Sequence, residues 1–170
     1  MNKTTRIALV ALLCVGAAAC SKKQEVKPAP PAPQPAAPVT EAAPESGRYT
    51  PEDLDRDACL RQRAVYFDFD KDEVKPEFQQ IMACHAKYLR DRPMAQVRLE
   101  GNADERGTRE YNLGLGERRA NSVSSALQAN GASASQISVI SYGKEKPVCR
   151  EHNEDCWSKN RRVDIVYTAK

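Results

Sequence analysis

Residues 96–130 read QVRLEGNADERGTREYNLGLGERRANSVSSALQAN, in which a short alternating run is followed by a polar loop and a long helical pattern. Gln96–Glu100 alternates polar and apolar side chains, as a half-buried strand does. From about Arg109 to Asn130, small and apolar residues recur at helical spacing, and Gly131 is placed to cap the helix. The predicted core face of this helix carries Leu113, Gly116, Ala120, Val123 and Leu127. This strand, loop and helix predict a domain in which helices pack on a sheet.

The alternation of strand-like and helical patterns continues on both sides of this stretch. Ala64–Phe67 predicts an earlier strand, and Pro76 suits the first turn of the helix that follows it. Ile137–Tyr142 predicts a third strand and Val163–Thr168 a fourth. The order β-α-β-α-β-β predicts an α/β (α+β) two-layer sandwich with a mixed four-stranded sheet, formed by residues 51–170.

The first twenty residues have the layout of a secretory signal. Basic residues precede the apolar run Ile7–Val15, and the small residues Gly16–Ala19 stand directly before Cys20. The apolar run is too short to span a bilayer, although a retained membrane anchor is the alternative. We therefore expect residues 1–19 to be a signal peptide that directs export.

Residues 20–50 are expected to form an extended tether. From Pro28 to Pro44, seven of seventeen residues are proline and most of the others are alanine. This composition favours polyproline II and cannot build a core. At about 3.1 Å per residue, residues 21–46 would reach roughly 80 Å. A recognition segment for a proline-binding partner is the alternative interpretation.

Composition and motifs argue against two classes of function. Cleavage of the signal peptide removes Lys3 and Arg6 and leaves 24 basic against 23 acidic side chains, so the basic footprint of a nucleic-acid binder is missing. The chain has no motif typical of acyl transfer, hydrolysis or nucleotide binding. His85 falls in the apolar stripe of the first helix, where a packed core residue is expected. We therefore expect a binding protein without a cofactor, and not an enzyme.

The most polar stretch of the domain, Gly101–Thr108, lies between the second predicted strand and the second helix, and ligands favour that end of a strand. A solvated turn is the alternative. On the helix, the adjacent residues Arg118 and Arg119 point about 100° apart. Arg118 projects opposite the core face and is predicted to be a solvated charge. Arg119 lies on a flank where its stem would be partly covered and its guanidinium could reach a groove.

Asp104 and Arg119 could frame one small ligand. A carboxylate holds an ammonium group, and a guanidinium binds a carboxylate in a bidentate manner. The pair therefore predicts a site for a zwitterionic group that resembles an amino acid. A direct salt bridge between the two side chains is the alternative, which their spacing leaves open.

Several motifs, in the same order along the chain, resemble the OmpA-like domain family and, within it, the peptidoglycan-associated lipoproteins. These motifs are Val65–Lys71, Gly101–Thr108, Tyr111–Asn112, Leu115–Asn121, Ser141–Pro147 and Ser158–Arg162. The resemblance implies non-covalent binding to the peptide stem of peptidoglycan, chiefly to its diaminopimelate residue, which is a zwitterionic amino acid. It also implies that Asp104 is the key acid and Arg119 the key arginine of the binding groove.

The same resemblance implies that Phe69 and Asp70 line this groove, and that Arg106 and Leu115 do so as well. The six predicted binding residues thus come from three separate stretches of the chain. Asn102 departs from the family pattern, in which histidine is frequent at this position. The departure affects loop hydrogen bonding and leaves the key acid and arginine in place.

The stretch Ala17–Cys20 resembles a bacterial lipobox, in which the cysteine becomes a lipidated N-terminus carrying chains such as palmitate. Several acyl chains would anchor the protein stably. Ser21, where an aspartate would favour inner-membrane retention, implies an outer-membrane location with the domain facing the periplasm. The resemblance further implies a TolB-like periplasmic partner and a role in the Tol-Pal system, which serves envelope integrity and cell division. A wall anchor or scaffold for another envelope complex is the alternative.

Beyond the first twenty residues, the chain has four cysteines, an even number that favours disulfides in an exported protein. They are Cys59, Cys84, Cys149 and Cys156. Three pairings are possible. Some OmpA-like domains carry a bridge before the last strand, which Cys149 and Cys156 would match, and Cys59 would then pair with Cys84. A metal site formed by Cys149, His152 and Cys156 is the alternative.

Overall fold

The computed structural model describes residues 47–170. The predicted signal peptide, the predicted lipidation residue Cys20 and most of the predicted tether lie outside the described residues. The helices are α1 (Asp53–Arg56), α2 (Gln79–Asp91), α3 (Arg109–Ala129) and α4 (Glu154–Asn160), and short 3-10 turns cover Pro76–Phe78 and Ala134–Gln136. The strands are β1 (Ala64–Tyr66), β2 (Gln96–Asn102), β3 (Ile137–Gly143) and β4 (Arg162–Ala169). Across residues 47–170, none of the helices has the length and apolar character needed to cross a membrane.

The four strands form one mixed sheet in the order β1-β4-β2-β3. β2 and β3 are parallel, and β4 runs antiparallel to both β1 and β2. The carboxyl ends of β1, β2 and β3 therefore lie at the same end of the sheet as the amino end of β4. This end is called the carboxyl edge of the sheet below. The predicted α+β fold and the order of its long elements are confirmed. The sequence does not predict α1 and α4, because four and seven residues are too few to show a helical period.

The hydrophobic core lies between the sheet and the helices α2 and α3. Its buried side chains include Val65, Met82, Leu89, Leu99, Val123, Leu127, Val163 and Ile165. Four of the five predicted core positions on α3 are buried, and Leu113 is only partly buried. The helical spacing of the sequence therefore identifies the face of α3 that packs on the sheet.

His85 lies in this core and is fully buried, as predicted. The hydroxyl of Tyr167 lies 2.8 Å from its Nδ1, and the carbonyl oxygen of Gln62 lies 3.0 Å from its Nε2. A carbonyl can only accept, so Nε2 carries the proton and Nδ1 accepts from the tyrosine. Burial lowers the pKa of His85 below its ordinary value, and the imidazole is neutral at neutral pH.

Helix α3 crosses β2 at two glycines that allow the backbones to touch. A Cβ atom added to Gly101 would stand 1.9 Å from the carbonyl oxygen of Gly116. A Cβ atom added to Gly116 would stand 2.9 Å from the carbonyl oxygen of Gly101. Only residues without a Cβ fit this crossing. It brings the loop that follows β2 directly against the middle of α3.

Two disulfides join the four cysteines of the domain. Cys59 is bonded to Cys84, and Cys149 is bonded to Cys156, so the structure selects one of the three possible pairings. The alternative of a metal site that uses Cys149, His152 and Cys156 is wrong, because both sulfurs are engaged in a disulfide. Residues 47–170 contain no other cluster of potential metal ligands.

Candidate functional site

Two loops at the carboxyl edge of the sheet carry most of the predicted site. The turn 68–71 follows β1, and in it Asp70 adopts a φ of +58°, a left-handed conformation that aspartate tolerates. The loop 103–108 follows β2 and ends at Thr108, whose side chain caps α3 by accepting from the backbone N–H of Tyr111 at 3.2 Å. The hydroxyl of Tyr111 donates to the carboxylate of Asp70 and so joins the two regions.

Asp104 is buried, with only 4% of its surface exposed. Its Oδ1 accepts from the backbone N and the Nε of Arg106, at 3.1 and 3.2 Å. Its Oδ2 accepts from Nη2 of Arg106 at 2.6 Å and from Nη1 of Arg161 at 3.3 Å. Burial by itself raises the pKa of Asp104, but these hydrogen bonds outweigh burial and hold the pKa below its usual value. The carboxylate is therefore ionised at neutral pH, and both of its oxygens are occupied.

The guanidinium of Arg106 lies between two aromatic rings. Its Cζ is 4.0 Å from the ring centroid of Phe69 and 4.1 Å from that of Trp157. A cation at these distances is attracted to the face of each ring. Trp157 is itself held by a hydrogen bond from its Nε1 to Oε1 of Glu105, at 2.7 Å. Ring contacts and the bonds to Asp104 together fix the orientation of Arg106.

Arg119 is fully buried. Its Nε, Nη1 and Nη2 donate to three backbone carbonyl oxygens, those of Lys71 at 2.8 Å, Asn102 at 3.0 Å and Asp68 at 3.1 Å. The expectation of a partly covered stem is wrong, because the turn after β1 closes over the side chain. Burial lowers the pKa of Arg119 to about 10, which leaves the guanidinium charged at neutral pH. The alternative of a direct salt bridge to Asp104 is also wrong, since Asp104 pairs with other arginines.

Arg161 is a second buried arginine of the site, with 5% of its surface exposed. It donates from Nε to the carbonyl oxygen of Phe67 at 3.0 Å and from Nη2 to Oε1 of Glu154 at 2.5 Å, in addition to its bond to Asp104. Sequence reasoning does not single it out, because its partners at the end of β1 and in the loop after β2 are 94 and 57 positions away. A charged residue before a strand looks solvated until the fold brings those partners to it.

The loops, the start of α3 and these charged groups surround a cavity of about 180 Å³. Its lining consists of Phe69, Asp70, Asp104, Arg106, Gly107, Tyr111, Asn112, Leu115 and Arg119. All six predicted binding residues are in this set. Phe69 is 56% exposed, whereas Leu115 is buried and supplies an apolar surface. The cavity is smaller than a typical site for a drug-sized molecule and suits a group of amino-acid size.

Other residues that the sequence singled out take surface or supporting positions. Arg118 is exposed and forms an ion pair of 3.1 Å with Asp72, which agrees with its predicted solvated state. Asn102 is buried, and its Nδ2 donates to the carbonyl oxygen of Glu100 at 2.9 Å and to Oδ2 of Asp164 at 3.3 Å. The backbone carbonyl oxygen of Asn102 accepts a hydrogen bond from Nη1 of Arg119, so Asn102 helps to hold the key arginine.

Comparison with known proteins agrees with this geometry. A family model described as the OmpA family matches residues 66–161. The peptidoglycan-associated lipoprotein of Pasteurella multocida is 41% identical over 169 residues, which cover 98% of this chain and 100% of the relative. This chain belongs to the OmpA family and, within it, to the peptidoglycan-associated lipoproteins. The crystal structure of the peptidoglycan-associated lipoprotein from Burkholderia pseudomallei has a TM-score of 0.67 and 45% identity, and the match covers 68% of this chain and 98% of that one.

A more distant OmpA-like neighbour shows the fold alone. The C-terminal domain of Helicobacter pylori MotB has a TM-score of 0.58 at 21% identity, and the match covers 63% of this chain and 84% of that one.

Proposed function

We propose that this peptidoglycan-associated lipoprotein binds peptidoglycan non-covalently, through the diaminopimelate residue of the peptide stem. The observation that carries the proposal is the small cavity in which an ionised buried acid, Asp104, stands with the buried guanidinium of Arg119. The relatives are named for their association with peptidoglycan, which supports peptidoglycan as the ligand. An OmpA-like domain with this charged cavity suits a zwitterionic amino acid.

The charges of the cavity complement the free end of diaminopimelate, which carries an ammonium group and a carboxylate. Arg106 and the buried Arg119 supply positive charge for the carboxylate. Asp70 uses Oδ1 to accept from Tyr111, and within residues 47–170 its Oδ2 remains available to an ammonium group. Leu115 lies against the position of the alkyl chain between the two ends. One small cavity therefore offers groups suited to the ammonium group, the carboxylate and the alkyl chain of the ligand.

We propose binding without catalysis. A general acid or base works best with a pKa near the working pH, whereas the pKa of Asp104 is held below its usual value. The described lining of the cavity offers no serine, cysteine or histidine that could act as a nucleophile or base. The charged groups then serve to bind peptidoglycan, and the interaction is non-covalent and reversible.

The finer proposal concerns the place of the protein in the envelope. Lipid on Cys20 would anchor the chain in the outer membrane, and the proline-rich tether would let the domain reach the wall from there. We propose that it acts as the Pal component of the Tol-Pal system, with a TolB-like periplasmic partner, in envelope integrity and cell division. Family membership supports this role. The alternative is a wall anchor that serves another envelope complex.

The test of wall binding is sedimentation with purified diaminopimelate-type peptidoglycan. A soluble form that begins at Ser21 is compared with Asp104→Asn and Arg119→Ala, and Arg118→Ala serves as the matched control from the same helix. We expect the wild type and the Arg118 variant to co-sediment, and the other two to stay in solution. Circular dichroism shows which variants keep the fold, and free diaminopimelate should release the bound protein. Wild-type protein that stays in solution would overturn the proposal.

The test of the partner is a pull-down from periplasmic extract with the same soluble form. Recovery of a TolB-like β-propeller protein would support the Tol-Pal role. Its absence, together with intact wall binding, would favour the alternative of an anchor for another complex.

A further inference from the structure

The guanidinium of Arg106 has one edge that the protein leaves open. Its Nε and Nη2, with its backbone N–H, are bound to Asp104, and Nη2 also lies 3.6 Å from Oε2 of Glu154. Its Nη1 donates to no atom of residues 47–170. The side chain keeps 31% of its surface exposed, and the residue lines the cavity. A planar guanidinium with a free edge is suited to receive a carboxylate.

The plane of this guanidinium is set by the rings on its two sides. Phe69 and Trp157 contact it at 4.0 and 4.1 Å, and they come from the turn after β1 and from α4. Ion pairs with Asp104 and, at 3.6 Å, with Glu154 leave the guanidinium of Arg106 some freedom to tilt, which it must give up when it binds a ligand. Two stacked rings remove that freedom before the ligand arrives.

Trp157 is anchored well enough to act in this way. Its Nε1 donates to Glu105 at 2.7 Å. The helix α4 that carries it is tied to the preceding loop by the disulfide between Cys149 and Cys156. The same helix is joined to Arg161 through Glu154 at 2.5 Å. Three independent attachments therefore fix the indole beside Arg106.

We propose that Trp157 is a positioning residue of the binding site. Together with Phe69 it clamps Arg106, so that the free edge of the guanidinium receives the carboxylate at the zwitterionic end of the ligand. Asp104 contributes to the same positioning through its bonds to Nε and Nη2 of Arg106. This inference rests on the proposed function, since it names the group of that ligand which Trp157 serves through Arg106.

The test measures binding of two synthetic stem peptides by calorimetry. One is L-Ala-γ-D-Glu-meso-diaminopimelate, and the other is the same peptide amidated at the carboxylate of its free zwitterionic end. The soluble form that begins at Ser21 is compared with Trp157→Leu, which removes the ring, and Trp157→Phe, which keeps a ring face. We expect the leucine variant to bind the acid peptide about tenfold more weakly and the phenylalanine variant less than about threefold more weakly.

The amidated peptide separates positioning from a general effect on the fold. In the wild type, amidation should weaken binding at least about tenfold, because a charge-assisted hydrogen bond is lost. In Trp157→Leu the same amidation should have an effect of less than about threefold. An unchanged amidation effect in the leucine variant would overturn the inference, and so would equal losses in the two tryptophan variants. If wild-type protein binds neither peptide, the proposed function itself fails.

Discussion

Substitution of Gly101 by alanine should weaken the domain and its binding site together. The new Cβ would stand 1.9 Å from the carbonyl oxygen of Gly116, where real contacts exceed 3.0 Å, so α3 and β2 must separate by roughly 1 Å. Both partners are backbone, and neither can turn aside as a side chain would. The overpacking cost should therefore lie at the upper end of the usual range, about 3 kcal/mol.

Two smaller effects modify this figure. Alanine restricts the unfolded chain and recovers up to about 1 kcal/mol. Separation of the elements also breaks the 3.0 Å bond from Arg119 to the carbonyl oxygen of Asn102, the residue that follows Gly101. A hydrogen bond to a charged group contributes about 1.5 kcal/mol or more. The expected net loss is about 3 kcal/mol in the free energy of unfolding.

The matched control is Gly114→Ala, also on α3. The nearest atom to a Cβ at Gly114 is the flexible Nη1 of Arg118, at an ordinary contact distance of 3.5 Å. This control should gain up to about 1 kcal/mol, because alanine favours a helix over glycine. Urea unfolding followed by circular dichroism measures both changes, and sedimentation with peptidoglycan measures the site. A Gly101→Ala protein as stable as the control would refute the argument from close backbone contact.

Two further predictions concern pH and the longer disulfide loop. Burial lowers the pKa of His85 in the folded protein. On acidification from pH 7 to 5, His85 is therefore protonated more readily in the unfolded chain than in the folded protein, and the free energy of unfolding falls. The pKa of His152 is raised by its hydrogen bond to Glu105, so its contribution is present at low pH and is lost as the pH rises. Unfolding at several pH values should show a shallower acid loss in His85→Phe than in wild type and a steeper one in His152→Gln; identical slopes would contradict this. Replacement of both Cys59 and Cys84 by serine opens a loop of 25 residues and should lower the free energy of unfolding by about 3 kcal/mol, whereas a change below about 1 kcal/mol would show that the bridge adds little.

The strands, the two long helices and the buried face of α3 follow from local patterns. Alternation and helical spacing depend only on neighbours along the chain, so Gln96–Glu100 and the pattern from Arg109 to Asn130 are readable before any contact is known. The turn composition of the loop after β2 points to Asp104 in the same way. Periodicity also separates the solvated Arg118 from Arg119.

The partners of those side chains depend on the tertiary structure. The pairing of β1 with β4, and the crossing of α3 over β2, decide that Arg119 meets three carbonyl oxygens and that Asp104 meets Arg161. The same assembly places Trp157 of α4 beside Arg106, which lies 51 positions earlier in the chain. Local sequence pattern assigns each residue to a strand, a loop or a face of a helix, because these assignments depend on residues nearby in the chain. The sheet and the helices must pack before distant groups can line one cavity. Local sequence patterns do not show these long-range contacts.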